Sequence, residues 1–78
     1  MLTIGKTYSF KTLTFYYIGT VEWQCPTHVR LTNCTEVFET GPNASYYAGQ
    51  IKNHERIPDG ALVPLNGTLI TPWDHVIL

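Results

Sequence analysis

Four side chains in this sequence belong to types that hold soft metals: Cys25, His28, Cys34 and His54. A structural zinc site needs four such donors in paired spacings. Here Cys25 and His28 form one Cys-x-x-His and no second pair follows, so the spacing favours ordinary turn and strand residues, and neither a metal nor any other cofactor is expected. A disulfide is also awkward. If Pro26 lies in a hairpin turn, Cys34 stands six or more residues up the next strand, roughly 20 Å from Cys25 at about 3.3 Å per residue. The Cα atoms of a disulfide lie within about 7 Å. Free thiols in a reducing compartment are the expectation. Asp74-His75 and His54-Glu55 look like acid and imidazole pairs, but adjacent residues of an extended chain point to opposite sides, so neither makes a dyad by itself. No Gly-x-Ser-x-Gly, His-Glu-x-x-His or Gly-x-x-x-x-Gly-Lys stretch occurs, no catalytic residue is assigned, and a non-enzymatic protein is expected.

Three sequons, Asn33-Cys34-Thr35, Asn43-Ala44-Ser45 and Asn66-Gly67-Thr68, would matter only in a secreted eukaryotic protein. No charged segment leads into an apolar one at the start, and no apolar run approaches about 18 residues, so a soluble chain made without a signal peptide and without a membrane partner is expected. The sequons then read as by-products of a Thr- and Asn-rich composition. Five basic residues face six acids, a net charge of −1, and Lys6, Lys11, Arg30, Lys52 and Arg56 are scattered. Without a basic stripe, binding of nucleic acid through phosphate contacts is disfavoured.

The elements that would position these residues are short strands. A chain of 78 residues makes one domain, residues 1–78, with a thin core, burying roughly 60 to 65 % of its unfolded surface. Charged residues are only 14 % of it, and eleven threonines, strand formers with a methyl beside the hydroxyl, take up the missing polarity. Residues 7–23 alternate, Tyr8 and Phe10 in one parity and Leu13, Phe15, Tyr17, Val21 and Trp23 in the other. Fully extended they would span roughly 55 Å, so the change of parity near Lys11 and Thr12 predicts a bulge or sharp coil there, with Gly19 a second place to bend. "QCPTH" predicts a turn into a second strand with Val29, Leu31 and Val37 on one face. "ETGPNASYYAGQ" predicts a loop with at most one short helical turn, begun by Pro42 or Asn43 and ended by Gly49. "IPDG" is a turn, and "ALVPLNGTLITPW" predicts two short strands around a type I′ turn at Asn66-Gly67, Pro64 at an edge or bulge. The sum is an all-β domain, a small five-stranded SH3-like or Sm-like barrel.

Ten aromatic residues are too many for so thin a core to enclose. One set fills the barrel while the tyrosines opposite lie against loops or solvent, which needs no function. The functional alternative is an interface, since Tyr and Trp amid sparse charge resemble the centre of a protein contact. A base-stacking platform is a third reading, opposed by the lack of nearby basic residues. Tyr16, Tyr46, Tyr47 and Trp73 are the candidate anchors.

"GKTYSFKTLTFYYIGTV", then "ETG", then "LNGTLITPWDH" resemble, in order and spacing, a family of small and mostly uncharacterised β-rich proteins encoded in tailed-phage and prophage genomes. A basic-Thr-aliphatic-Thr strand (Lys11 to Thr14) leads to the aromatic pair Tyr16-Tyr17 and Gly19, and Trp73 stands two before His75. The sequence departs from the pattern at Lys11, where arginine is usual, and in "QCPTHVRLTNCTEVF", which lacks an acidic-Ala-Ser-Trp stretch. The resemblance implies a viral origin and residence in the virion after synthesis in the host cytoplasm. The expectation that follows is a structural or accessory protein docking on a repeated virion surface, the capsid first, as a decoration (cement) protein. Its partners would be other virion proteins, the major capsid protein foremost, with self-association open. The alternative is an Sm-like ring binding RNA or a nucleotide, an intracellular anti-defence protein, since "LVPLNGTLI" looks like the second Sm motif with Asn66 where a basic residue is usual. A ring would gather Lys11 and Arg30 from every subunit into one rim.

Overall fold

The structure, a computed structural model, describes residues 2–12, 15–39, 46–49, 51 and 53–75. Among them run six strands: β1 (Thr7–Lys11), β2 (Tyr16–Gln24), β3 (His28–Glu39), β4 (Asn53–Ile57), β5 (Ala61–Pro64) and β6 (Leu69–Pro72). They form one open antiparallel sheet in the order β4-β3-β2-β1-β6, with β5 also on β3. The all-β expectation stands in this form, whereas two finer expectations are corrected. The sheet has six strands rather than five, and it does not close into a barrel. The extra strand is β4, whose "NHERI" has no apolar alternation because it is an edge strand with little to bury.

The change of parity near Lys11 is a reversal of the chain, not a bulge. Thr12 N–H and Oγ1 both donate to the Phe15 carbonyl, at 2.8 and 2.9 Å, and Phe15 N–H donates to Thr12 Oγ1 at 2.9 Å. This clasp lets β1 and β2 pair from Thr7↔Thr20 to Lys11↔Tyr16. No Gly or Asn marks it, since a threonine hydroxyl does the work of a turn residue. Leu13 falls outside the described residues. The next turn is where "QCPTH" predicts it, Cys25 N–H donating to the His28 carbonyl at 2.9 Å as β3 sets off antiparallel to β2.

β3 has twelve residues, which would extend about 40 Å, beyond the 31 Å longest dimension of the molecule. It bends at Asn33, which has φ 47°. Ile18 pairs with Thr35 but Thr20 with Thr32, so β3 carries an extra residue there. One half of β3, from His28 to Leu31, then pairs with β5, and the other, from Cys34, pairs with β4. The extra residue also inverts the faces. Val29 and Leu31 enter one core and Val37 another, against the expectation that all three share a side.

β5 and β6 do not pair with each other. Thr68 N–H does donate to the Leu65 carbonyl at 3.3 Å around Asn66-Gly67. Yet Gly67 alone of the two has positive φ (75°), so this is not the type I′ turn of a hairpin. Leu65 N–H donates instead to the Thr27 carbonyl at 2.9 Å. The chain thus crosses from the β3 edge to the β1 edge, where β6 pairs from Tyr8↔Pro72 to Lys11↔Leu69. Pro64, in β5, lies on an edge as expected.

The bent sheet has apolar residues on both faces. The larger core holds Tyr8, Phe10, Val21, Val29, Leu31, Cys34 and Val63. Leu31, paired with Val21, packs against the β2 backbone at Gly19. A Cβ on Gly19 would stand 2.9 Å from that of Leu31. The smaller core, on the other face, comprises Ile18, Val37, Tyr46 and Trp73. Its lid is the helical turn at Tyr46 and Tyr47, ended by Gly49 as the sequence predicts, with Gly49 N–H donating to the Tyr46 carbonyl. The proposed start of that turn at Pro42 or Asn43 lies outside the described residues.

Candidate functional site

All four candidate anchors fall in one cluster around Tyr46. Tyr16, Tyr47 and Trp73 have ring centroids 5.3, 5.1 and 5.1 Å from it, and His75 stands edge-on to Trp73 at 5.0 Å. Tyr46 is fully buried and Trp73 is 4 % exposed, so both rings are committed to the smaller core. The Tyr46 hydroxyl shares a hydrogen bond with the buried Ser9 Oγ, and burial pushes its pKa up to about 12. Tyr16 is half-buried, with Lys11 Nζ 5.4 Å from its ring centroid, and Tyr47 is exposed. These two are the members of the cluster that a partner can touch.

The most exposed large apolar side chains lie elsewhere. Ile4 is 64 % exposed, and Phe15, Trp23, Phe38, Leu62 and Leu69 are each about half exposed, from 47 to 58 %. Pairing joins two of these five. Trp23↔Arg30 and Arg30↔Leu62 set Trp23, Arg30 and Leu62 side by side on one face. Leu62 also borders a groove of 440 Å³ with Phe15, Tyr17 and Pro64, and the Phe15 and Tyr17 rings are 6.1 Å apart. Alternation suggests that Phe15 and Trp23 share the core-facing parity of Val21. The Thr12 clasp and the irregular pairing between Val21 and Trp23 put both outside instead. Leu62, in a four-residue strand, carried no signal of its own.

The basic residue in this face is not free. Arg30 Nε is 3.6 Å from Glu22 Oε1, and its guanidinium donates to the Asp59 carbonyl at 3.0 Å. Exposed on both sides, the ion pair contributes about 0 to 1 kcal/mol. It neutralises the charge that a nucleic-acid rim would use.

A second, larger groove of 690 Å³ opens on the face of the smaller core. Its floor is Ile18 with the β1, β2 and β3 threonines Thr7, Thr20 and Thr35, and Trp73 and His75 form one wall. Asn33, His54 and Arg56 form the other.

Both cysteines are free. Cys25 Sγ is 3.5 Å from Thr27 Oγ1, which is itself 2.9 Å from His28 Nδ1. Hydrogen bonds from the Thr27 hydroxyl and from the backbone of Thr27 and His28 hold this thiol below its usual pKa. Cys34 is buried, and desolvation, assisted by Glu36, pushes its thiol up to about 11. Among the described residues no three His, Cys, Asp or Glu side chains gather as metal ligands, and no helix is long and apolar enough to cross a membrane. His75 Nε2 faces the Tyr47 carbonyl at 3.0 Å rather than Asp74. No protein-family model matches the chain, no curated protein matches its sequence, and no solved structure matches its fold.

Proposed function

We propose that this chain is a non-enzymatic phage protein that docks on a repeated virion surface, the capsid first, as a decoration protein. The observation that carries the docking is the exposed apolar tract from Trp23 through Leu62 to the Phe15 groove, broken only by a neutralised ion pair. Aromatic and aliphatic side chains around a pocket, with charge paired off, have the composition of an interface centre. The assignment to a tailed-phage particle rests on the resemblance of the Gly5 to Val21, Glu39 to Gly41 and Leu65 to His75 stretches.

The occupant in this proposal is an extended segment of the major capsid protein. Among the described residues β6 pairs only with β1, so its outer edge offers main-chain donors and acceptors, with Leu69 exposed on it. A strand added there gains backbone hydrogen bonds. SH3-like or Sm-like kinship belongs to the same proposal, supported by the meander of β1 to β4 and the bend in β3. The RNA-binding ring draws less support, because Arg30 is held by Glu22 and Lys11 lies over Tyr16.

The test is co-sedimentation with empty capsids of the source phage, beside mass spectrometry of purified virions. Binding at micromolar concentration that is lost in Leu62→Asp is expected. Leu62 is 57 % exposed, so the substitution should change stability by no more than about 0.5 kcal/mol. Absence of the chain from virions, with steeply salt-dependent RNA binding instead, would replace this proposal with the ring.

A further inference from the structure

The 690 Å³ groove over the smaller core shares no residue with the apolar groove and has a different chemistry. Its volume lies within the roughly 300–1,000 Å³ of small-molecule sites. Cross-strand pairs place its donors. Thr7↔Thr20 and Thr35↔Arg56 are opposite one another, so the three hydroxyls and the guanidinium fall on one face of β1 to β4. Thr7 and Thr20 hydroxyls hydrogen-bond each other at 2.9 Å, which uses one of their two protons and leaves one to donate outward.

Arg56 is steered by a neutral partner, its guanidinium donating to Asn33 Oδ1 at 3.2 Å. Among the described residues it has no ion pair, in contrast to Arg30. Glu55 also borders the groove, but it pairs with Glu36, and alternation turns its side chain to the opposite face. The wall across from Arg56 is Trp73, whose indole N–H is buried and has no hydrogen-bond partner among the described residues. Few such buried donors are left unpaired in folded proteins. The groove therefore presents threonine hydroxyls and a guanidinium that has no ion pair among the described residues.

We propose that this groove binds a phosphate monoester, its phosphate at Arg56 and the threonine hydroxyls and its organic body against the exposed His75 on the far wall. A phosphate has three oxygens set tetrahedrally and can use donors spread over several strands, whereas a carboxylate has two in one plane. This site is independent of the docking tract and stands whether or not the chain is a virion component.

The experiment is an amide NMR titration of the whole chain with phenyl phosphate, phenol and inorganic phosphate at millimolar concentration. Shifts at Thr7, Thr20, Thr35 and Arg56 are expected with phenyl phosphate, smaller ones with inorganic phosphate and none with phenol. Arg56→Gln should weaken binding by about tenfold or more, the loss of a charge-assisted hydrogen bond. If that variant fails to fold, raising salt on the unaltered protein serves instead and should weaken binding severalfold. No shift with phenyl phosphate, equal shifts with phenol, or affinity indifferent to both Arg56 and salt would overturn the proposal.

Discussion

The buried hydrogen bond between Ser9 and Tyr46 ties the lid of the smaller core to β1, and its removal should be strongly non-additive. Ser9 is 1 % exposed and Tyr46 fully buried, so neither hydroxyl can turn to solvent when its partner is lost. Tyr46→Phe strands the serine oxygen, and Ser9→Ala strands the phenol. Each should cost about 1–3 kcal/mol, the lost bond together with an unsatisfied buried group. In a domain of this size that is roughly 4–8 °C in Tm per kcal/mol. The double variant leaves no orphan and should be little worse than either single, a coupling of about 1–2 kcal/mol. Urea unfolding of the four proteins at neutral pH measures it. The pH dependence gives a second reading of the same group. The Tyr46 pKa is raised from 10.0 to about 12, so the folded state holds the proton more tightly than the unfolded chain. The stability this lends is complete below pH 10 and is lost as pH rises toward 12. Tyr46→Phe should flatten that part of the decline. Costs that add within about 0.5 kcal/mol, or an alkaline limb unchanged in Tyr46→Phe, would refute the argument.

Two further outcomes follow from local geometry. Alkylation with iodoacetamide at neutral pH should modify Cys25 quickly, since its thiol is accessible and its pKa lowered, while Cys34, buried and raised to about 11, reacts only as the sheet opens; mass spectrometry reads the two rates, and equal rates would count against the burial of Cys34. Gly49→Ala should cost more than about 1 kcal/mol, because the residue has φ 94° and its Cβ would stand 2.6 Å from the His75 ring; adding His75→Ala should recover the steric part and leave the backbone part, as thermal melts will show.

Legibility of the fold varied with what each signal depended on. The β2–β3 turn was readable from Pro26 between two alternating runs, and the end of the helical turn from Gly49, because proline and glycine restrict or release the backbone wherever they stand. The Thr12 clasp was not, since the same threonine is a strand former until its hydroxyl finds the Phe15 backbone. β4 carries no sequence signal because an edge strand needs no apolar alternation. The bend at Asn33 reversed the face of Val37, an inversion that one-residue slips always produce. For the site, composition pointed to an excess of aromatics, and Tyr16, Tyr46, Tyr47 and Trp73 do meet. Which of them is buried was decided by the lid that folds over Ile18 and Val37. The exposed tract of Trp23, Leu62 and Phe15 follows from pairings among three strands, which no local window contains.

By itself the sequence determined that this is a sheet protein with little helix, few charges, scattered basic residues and more aromatic surface than one thin core can hold. Those properties follow from residue type and short-range alternation, which act within a few residues. Only the tertiary structure decided that the described strands form an open sheet of six, that β5 and β6 part to opposite edges, and that among the described residues Arg30 has an ion pair while Arg56 has none. Each of these depends on which of several satisfiable backbone and side-chain groups meet across long separations, as Leu65 does with Thr27 and Asn33 with Arg56. That choice is made by the whole set of contacts at once.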